Sequence, residues 1–369
     1  MENNTVNLPL YLKLAQIVTG IAVFFYILYI GQDIIIPLVF ATILAILLNP
    51  VVNFLCHKKF NRVFAILLTV FAAFLAVTAL LYFIGSQVSM FTESFPKFKQ
   101  QFSKLLTESI QWVSQTFNIS PAKINGLITK AQNEGMNYGT SIIGQTIGTI
   151  SGVLVIVFLL PVYIFMILFY KPLLLDFIAR LFDKSKHSIV AEVLVETKSL
   201  IQSYLIGLLL EAALVAILNA VGLLILGVDY AILLGVIGAL LNIIPYIGGV
   251  IAVALPMLMA LATQSPITSI WVLVVYLIVQ FIDNNFLVPK IVASKVKINA
   301  LVSIVVVLIG GALWGVAGMF LSIPLTAILK VIFDRIVPLK PFGFLLGDNQ
   351  PEMGKLVFKK AKQKLTKKE

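Results

Sequence analysis

The amino-acid sequence predicts an all-α polytopic membrane protein with about eight transmembrane helices, several of them broken or re-entrant in the C-terminal half. Hydrophobic residues make up 60% of the 369 positions and charged residues 12%. Soluble domains average roughly 45–50% and about 25%. Several apolar segments approach the roughly 20 residues that cross a hydrocarbon core about 30 Å thick. We therefore expect lipid to surround most of the chain.

Five apolar segments are predicted to be transmembrane helices. They cover residues 14–30, 34–48, 63–84, 146–170 and 204–226. Lys13 is the only basic residue before the first of them and no small-residue cleavage site stands out after it, so we interpret this segment as a retained span. The loop after the second span contains His57, Lys58, Lys59 and Arg62. Basic loops face the cytoplasm, which places this loop and the N-terminus inside.

The apolar segments after residue 226 are shorter and contain glycine and proline. They cover residues 230–247, 250–262, 270–282, 300–313 and 316–332. Such breaks are tolerated in lipid only where protein or a water-filled cavity satisfies the backbone. We expect a re-entrant hairpin over 230–262, with Pro245, Gly248, Gly249 and Pro256 at its centre. For 300–332, two crossings and a second hairpin both fit.

The one sizeable polar insert covers residues 86–145. Pro96, two residues after Ser94, predicts the start of an amphipathic helix, and Ser120 with Pro121 predicts the start of a second. We expect an extracytoplasmic helical hairpin that contacts a neighbouring subunit or the membrane surface. A plain spacer is the alternative.

These segments divide the chain into five parts. Residues 1–85 hold three transmembrane helices, 86–145 the insert, 146–199 the fourth transmembrane helix with a cytoplasmic amphipathic linker, 200–337 the C-terminal core, and 338–369 a cytoplasmic polybasic tail. The tail lysines are Lys355, Lys359, Lys360, Lys362, Lys364, Lys367 and Lys368. Because the net charge of +11 resides in short loops and this tail, we expect membrane lipids as partners and no nucleic acid.

The sequence lacks the residue patterns that enzymes and metal sites require. HExxH, GxxxxGK and paired carboxylates around a nucleophile do not occur. Cys56 is the only cysteine, and the two histidines lie far apart, without the spacing of a zinc site. We therefore predict no enzyme activity, no metal and no cofactor, and any uphill transport must draw on an ion gradient or another subunit.

Glu211 is the most informative polar residue, because it lies near the middle of the fifth predicted span. A charged carboxylate there costs at least roughly 2.5–3.5 kcal/mol on insertion scales. We interpret Glu211 as a proton or cation site facing the bundle interior, with a hydrogen-bonded packing residue as the alternative. Asn219 projects from roughly the same helical face, and Asn242 adds a second amide. Such amides suit a polyhydroxylated solute or a small cation, but they also hold helices together in lipid.

The turn NIIPYIGG is a second candidate, since its Pro245, Gly248 and Gly249 free backbone groups that need partners. Tyr246 is placed to gate the path or to hydrogen-bond a solute. A tight hairpin without a ligand is the alternative.

Two further groups complete the candidate path. Gln280, Asp283, Asn284 and Asn285 end the next span, and Pro289 is predicted to break the helix before Lys290. Oxygen ligands of this kind suit a hard cation, although a solvated helix end fits as well. The other group is Gly310, Gly311, Trp314 and Gly315. Their sequence predicts either a hinge or close helix packing.

Three separated segments then carry a resemblance to a known family. They are LLILGVDYAILLGVIGALLNIIPYIGG (223–249), VQFIDNNFLVPKIVASKVKINALVSI (279–304) and IGGALWGVAGMFLSIPLTAIL (309–329). With these segments in this order, the chain resembles the autoinducer-two exporter family of permease-like transporters. It differs from the commoner pattern at Gly249, where a proline is frequent, and by carrying Glu211.

The resemblance implies a polytopic inner-membrane transporter that forms a homopentamer. Members of the family are assigned to export of the quorum-sensing furanone autoinducer two or to sodium/proton antiport. We therefore expect a secondary transporter of the bacterial cytoplasmic membrane that exports a small polar solute. The alternatives are a sodium/proton antiporter using Glu211 and Asp283, and a non-transporting membrane scaffold.

Overall fold

The computed structural model describes residues 9–117, 158–243, 248–293 and 296–348. Within these ranges six helices are long and apolar enough to cross a membrane, and the bent pair Phe158–Phe169 and Lys171–Arg180 adds a seventh if it is one span. An all-α polytopic membrane fold is thus confirmed, while the number of about eight crossings stays a prediction. The helix expected from Ser120, the turn residues Pro245 and Tyr246, and the polybasic tail lie outside the described residues.

The N-terminal part consists of three helices, α1 (Leu10–Ile30), α2 (Gln32–His57) and α3 (Arg62–Phe117). The predicted helix start at Ser94 and Pro96 is wrong, because α3 continues through both residues for 56 residues. A proline removes one backbone hydrogen bond. A helix that is already nucleated adds further turns without a new nucleation cost, which favours continuation.

The middle of the chain is organised around one long helix. α4 (Phe158–Phe169) and α5 (Lys171–Arg180) meet at a 62° bend, and α6 (His187–Ile225) follows. The expected linker and the fifth predicted span therefore form one helix of 39 residues. α6 packs against α2 and against four C-terminal elements, namely α7, α9, the π-helix that follows α9, and the helix of residues 300–335.

A first helical hairpin follows α6. α7 (Ala231–Asn242) has 12 residues and α8 (Gly248–Thr263) has 16, so they are about 18 and 24 Å long. Both are shorter than the membrane core, which supports the expected re-entrant hairpin. A Cβ at Gly248 would collide with the Leu241 carbonyl oxygen, so glycine permits this close return of the chain. Pro256 lies inside α8 and not at the reversal.

α9 (Pro266–Ile282) starts at Ser265, whose side chain accepts a hydrogen bond from the Thr268 backbone amide at 3.2 Å. It continues as a π-helix, Asp283–Ala293. The predicted break before Lys290 is therefore wrong: Pro289 lies within the π-helix. Proline lacks a backbone N–H and so removes one helical hydrogen bond, while the turns on either side maintain the helix.

A second helical hairpin forms the C-terminal end of the core. α10 (Ala300–Arg335) reverses at Trp314 and Gly315, whose φ angles are −133° and 60°. The Gly310 backbone packs directly on the Gly318 carbonyl oxygen, so the two arms lie side by side. The first arm, residues 300–313, is about 21 Å long, which favours the hairpin over two full crossings. A short helix, α11 (Lys340–Leu346), then returns to the base of this hairpin.

The close approach of Gly310 to Gly318 generates a testable prediction. Gly310→Ala should destabilise the protein by about 1–3 kcal/mol, because the added methyl group meets a backbone carbonyl that cannot move aside easily. The midpoint of thermal unfolding in detergent micelles measures this loss. Gly20→Ala is the matched control, since nothing lies within 4 Å of a Cβ at that helical position. Equal melting of the two variants would contradict the packed hairpin.

Candidate functional site

A cavity of about 830 Å³ lies where α6, the α7–α8 hairpin, α9, the π-helix and the base of α10 meet. This volume is within the range of about 300–1,000 Å³ that small-molecule sites occupy. The polar residues that line the cavity are Tyr204, Glu211, Asn242, Tyr276, Gln280, Asp283, Asn284, Ser303 and Asp348. The remaining lining is mostly aliphatic, including Leu208, Val253, Leu273 and Ile323. We call this space the carboxyl cavity.

Two buried carboxyl groups from different elements face the carboxyl cavity. Glu211 belongs to α6 and is 6% exposed, and Asp283 is the first residue of the π-helix and is 1% exposed. The two groups are close enough for their charges to interact. Neighbouring carboxyl groups in an apolar bundle are unfavourable unless protons, cations or hydrogen-bond donors compensate them. The cavity therefore has the chemistry of a site that exchanges such groups.

Asp283 is only half satisfied by the protein. Its Oδ2 accepts a hydrogen bond of 2.8 Å from Asn242 Nδ2. Its Oδ1 is buried and has no hydrogen-bond partner among the described residues. A buried acceptor without a partner costs about 1–3 kcal/mol. This oxygen is thus available to a proton, a cation or a hydroxyl group of a solute.

Amide groups continue the polar lining on the side of α8 and α9. Gln280 Nε2 donates to Asn284 Oδ1 at 3.3 Å. A Cβ at Gly249 would lie 2.7 Å from Gln280 Oε1 and 3.4 Å from Asn242 Oδ1, so the glycine brings the start of α8 against both amides. Amides both donate and accept hydrogen bonds, which suits a ligand that carries hydroxyl groups.

The structure brings together six of the residues singled out from the sequence: Glu211, Asn242, Gly249, Gln280, Asp283 and Asn284. Gly248 lies beside them at the reversal between α7 and α8. Pro245 and Tyr246 fall in the undescribed stretch between these helices.

Other candidates lie away from the carboxyl cavity. Asn219 is buried on the same face of α6 as Glu211, but its side chain lies beside Gly238. Asn285 is exposed and donates to the Phe281 carbonyl oxygen at 2.9 Å, and Pro289 is not part of the lining. Asp283 lines the cavity, whereas Asn285, two residues later, does not.

The glycine and tryptophan group also lies elsewhere. Gly310, Gly311, Trp314 and Gly315 form the tip of the α10 hairpin, whereas the base of the hairpin lines the cavity. Trp314 Nε1 donates to the Leu28 carbonyl oxygen at 3.0 Å and so fixes the tip against α1. Of the two interpretations made from the sequence, this geometry supports close packing.

Sequence reasoning missed Tyr204, Tyr276, Ser303 and Asp348. Helical spacing contains the signal for the tyrosines. Tyr204 precedes Glu211 by seven residues, and Tyr276 precedes Gln280 by four and Asp283 by seven. Residues separated by four or seven positions share a face of a helix.

Within the described ranges, no group of three or more His, Cys, Asp or Glu residues is arranged to hold a metal ion.

Comparison with known proteins places this geometry in context. The model of the family described as "AI-2E family transporter" matches residues 19–338. The "Putative transport protein YueF" of Bacillus subtilis is 27% identical over 314 residues, covering 82% of this chain and 84% of that protein. The "Putative transport protein YhhT" of Escherichia coli is 26% identical over 341 residues, covering 92% and 95%. The "AI-2 transport protein TqsA" of Escherichia coli is 25% identical over 335 residues, covering 87% and 92%.

The bond between Asn242 and Asp283 can be tested by a double-mutant cycle. Asn242→Ala should destabilise the protein when Asp283 is present and much less in an Asp283→Ala background, with a coupling of about 1–3 kcal/mol. Unfolding midpoints in detergent micelles give the four stabilities. Ser269→Ala serves as the control, because Ser269 donates instead to the Met257 carbonyl oxygen at 2.9 Å. Additive effects for the Asn242 and Asp283 pair would refute a direct bond.

Proposed function

Because the chain belongs to the AI-2E family of transporters, we propose that the carboxyl cavity is the path of a small polar solute that the protein exports across the bacterial cytoplasmic membrane. Membrane transport itself follows from the family and from the multi-pass helical architecture. The path, the class of solute and the direction of movement are the content of the proposal.

The observation that carries the proposal is the pair of buried carboxyl groups on one cavity, Glu211 and Asp283. Each ionisable group in a membrane segment is costly, and such groups mark proton relays and ion or substrate pathways. A carboxyl group that takes up a proton at one side of the membrane and releases it at the other couples solute movement to the proton gradient. The coupling role of the two residues rests on their burial and proximity.

The lining supports a hydroxylated solute. Asn242, Gln280 and Asn284 supply amides, and Ser303 supplies a hydroxyl group. Such groups recognise a solute with several donors and acceptors, while the aliphatic side chains exclude water around it. The name of the relative TqsA includes transport of AI-2. These points together support a small hydroxylated furanone such as autoinducer two.

The position of the cavity rim supports export. Ile298, Ala300 and Asp348 line the cavity next to Lys297, and Lys330, Asp334 and Lys340 surround a neighbouring pocket at the same end. The positive-inside rule assigns such a basic end to the cytoplasm. A solute can therefore reach the carboxyl cavity from inside the cell, as export requires. The two helical hairpins, α7–α8 and α10, are the broken elements whose movement would open the opposite side.

Glu211→Gln and Asp283→Asn should each lower the flux of autoinducer two by at least about tenfold under a proton gradient, a loss equivalent to about 1.4 kcal/mol in the barrier. Each variant keeps the shape of the side chain but cannot exchange the coupling proton. Flux is measured with protein reconstituted in liposomes. Asp229→Asn is the matched control, since Asp229 is an exposed carboxylate between α6 and α7.

Circular dichroism and size-exclusion chromatography check that the variants keep the wild-type fold. Full proton-coupled flux in both carboxyl variants would refute the coupling role. If the wild-type protein transports no autoinducer two under any imposed gradient, autoinducer two is not its solute.

The second candidate function is sodium/proton antiport. Asp283 Oδ1 favours it, because this oxygen is buried and accepts no hydrogen bond from the described part of the chain. Together with Glu211 and the amide oxygens of Asn242 and Asn284, it provides the oxygen ligands that a hard cation prefers. In this case a cation and a proton compete for the same carboxyl groups. The cation then replaces the organic solute as the transported species.

Antiport predicts that sodium added to proteoliposomes dissipates a preset pH gradient, and that Glu211→Gln abolishes this effect because the proton carrier is removed. A fluorescent pH indicator trapped in the vesicles records the change. Asp229→Asn should behave as wild type. A gradient that sodium does not change, in vesicles that do transport autoinducer two, would exclude antiport and leave solute export in place.

A further inference from the structure

A second cavity, of about 490 Å³, lies between the end of α2, the start of α3 and the bend between α4 and α5. It shares no lining residue with the carboxyl cavity. Its charged residues are Arg62 and Lys171, and no Asp or Glu is among the described residues that line it. The chemistry of this cavity is therefore the opposite of that of the carboxyl cavity.

Both cations are held by neutral acceptors. Lys171 Nζ donates to Asn49 Oδ1 at 3.0 Å, and Arg62 Nη2 donates to the Leu168 carbonyl oxygen at 3.1 Å. Within the described ranges neither residue forms an ion pair. Lys171 also experiences the positive charges of Arg62 and Lys198. Like charges gathered in one place repel each other, and an anion in the cavity would reverse that repulsion.

Asn49 supplies an independent observation. Its side chain is 6% exposed and lines the cavity. Lys171 occupies its Oδ1, while its Nδ2 is buried and has no hydrogen-bond partner among the described residues. A buried N–H donor without a partner is unfavourable by about 1–3 kcal/mol. An oxyanion held between the two cations would accept a hydrogen bond from it.

The helix ends add to the positive potential. Arg62 is the first residue of α3 and Lys171 is the first residue of α5, which has 10 residues. The first turn of a helix presents unpaired backbone N–H groups and the positive end of the helix dipole. Anions, and phosphate groups in particular, bind at such ends. Asn61 Oδ1 already accepts a hydrogen bond from the Val63 N–H, and Pro172 in the first turn of α5 has no N–H. The two helix starts therefore add their dipoles to the two cations and the buried amide donor.

From this arrangement we propose that the Asn49, Arg62 and Lys171 cavity binds a phosphate group, supplied either by the head group of an anionic phospholipid or by free phosphate. A guanidinium group pairs with two oxygens of a phosphate at once, and an ammonium group and an amide donor serve the others. Val52, Phe60 and Leu175 form apolar walls beside these donors. This site is independent of the proposed transport path, and its ligand would join the α2–α3 turn to the α4–α5 bend.

The test uses the full-length protein in neutral detergent micelles, with phosphatidylglycerol, phosphatidylcholine and inorganic phosphate as separate probes. Native mass spectrometry counts bound phospholipid, and the shift of the melting temperature reports binding of each probe. We expect wild-type protein to bind phosphatidylglycerol at least about tenfold more tightly than phosphatidylcholine. In the Arg62→Gln/Lys171→Gln variant this preference should disappear. The matched control is Lys184→Gln/Lys186→Gln, which removes two exposed cations outside the cavity. This control variant should retain the wild-type preference for phosphatidylglycerol.

The probes separate the two sources of phosphate. Stabilisation by inorganic phosphate without a preference for phosphatidylglycerol identifies free phosphate as the ligand. A preference for phosphatidylglycerol without stabilisation by inorganic phosphate identifies the phospholipid. If the first variant does not fold, Asn49→Asp replaces it, because an added negative charge should repel the same probes. An unchanged response of these variants to every probe would overturn the site. An equal loss in the Lys184 and Lys186 control would also overturn it, since general surface charge would then explain the binding.

Discussion

The interior of a lipid bilayer supplies no water, so every backbone or side-chain group that leaves a regular helix there must find its partner within the protein or in a cavity. This constraint explains where backbone segments of the C-terminal core pack closely against each other. At the reversal between α7 and α8 and at the tip of the α10 hairpin, Gly248 and the pair Gly310 and Gly318 allow one backbone to contact another. It also explains the carboxyl cavity, because Glu211 and Asp283 require an environment that a lipid-facing helix surface cannot provide.

The same constraint determines how much of the site the sequence predicts. Composition and span length were sufficient for the membrane fold, and the cost of a charge in a span drew attention to Glu211, which lines the carboxyl cavity. Neither indicates which residues meet, because Glu211 and Asp283 become neighbours only through the packing of α6 against the π-helix. Pro96 and Pro289 misled the prediction for a related reason. Proline lowers the stability of a helix locally, whereas the turns on either side decide whether the helix continues.

The described core separates two kinds of electrostatic environment. Acidic groups occupy the cavity between α6 and the C-terminal hairpins, and cations occupy the cavity between the N-terminal helices and the α4–α5 bend. α6 packs against both α2 and the C-terminal elements, so a movement of this helix is felt by both halves. If both proposals hold, an anion bound among the N-terminal helices would stabilise that half of the protein while the hairpins open and close the proposed path. In many secondary transporters, one group of helices moves against another that stays in place.

The length of α3 has a mechanical consequence. At 1.5 Å per residue, the 56 residues of this helix extend about 84 Å, nearly three times the roughly 30 Å of the hydrocarbon core. α3 contacts α2 and α8 within the described core. A tilt of about 10° about one end would displace the other end by about 15 Å for a rod of this length. A small change in the tilt of this helix would therefore become a large displacement at its far end.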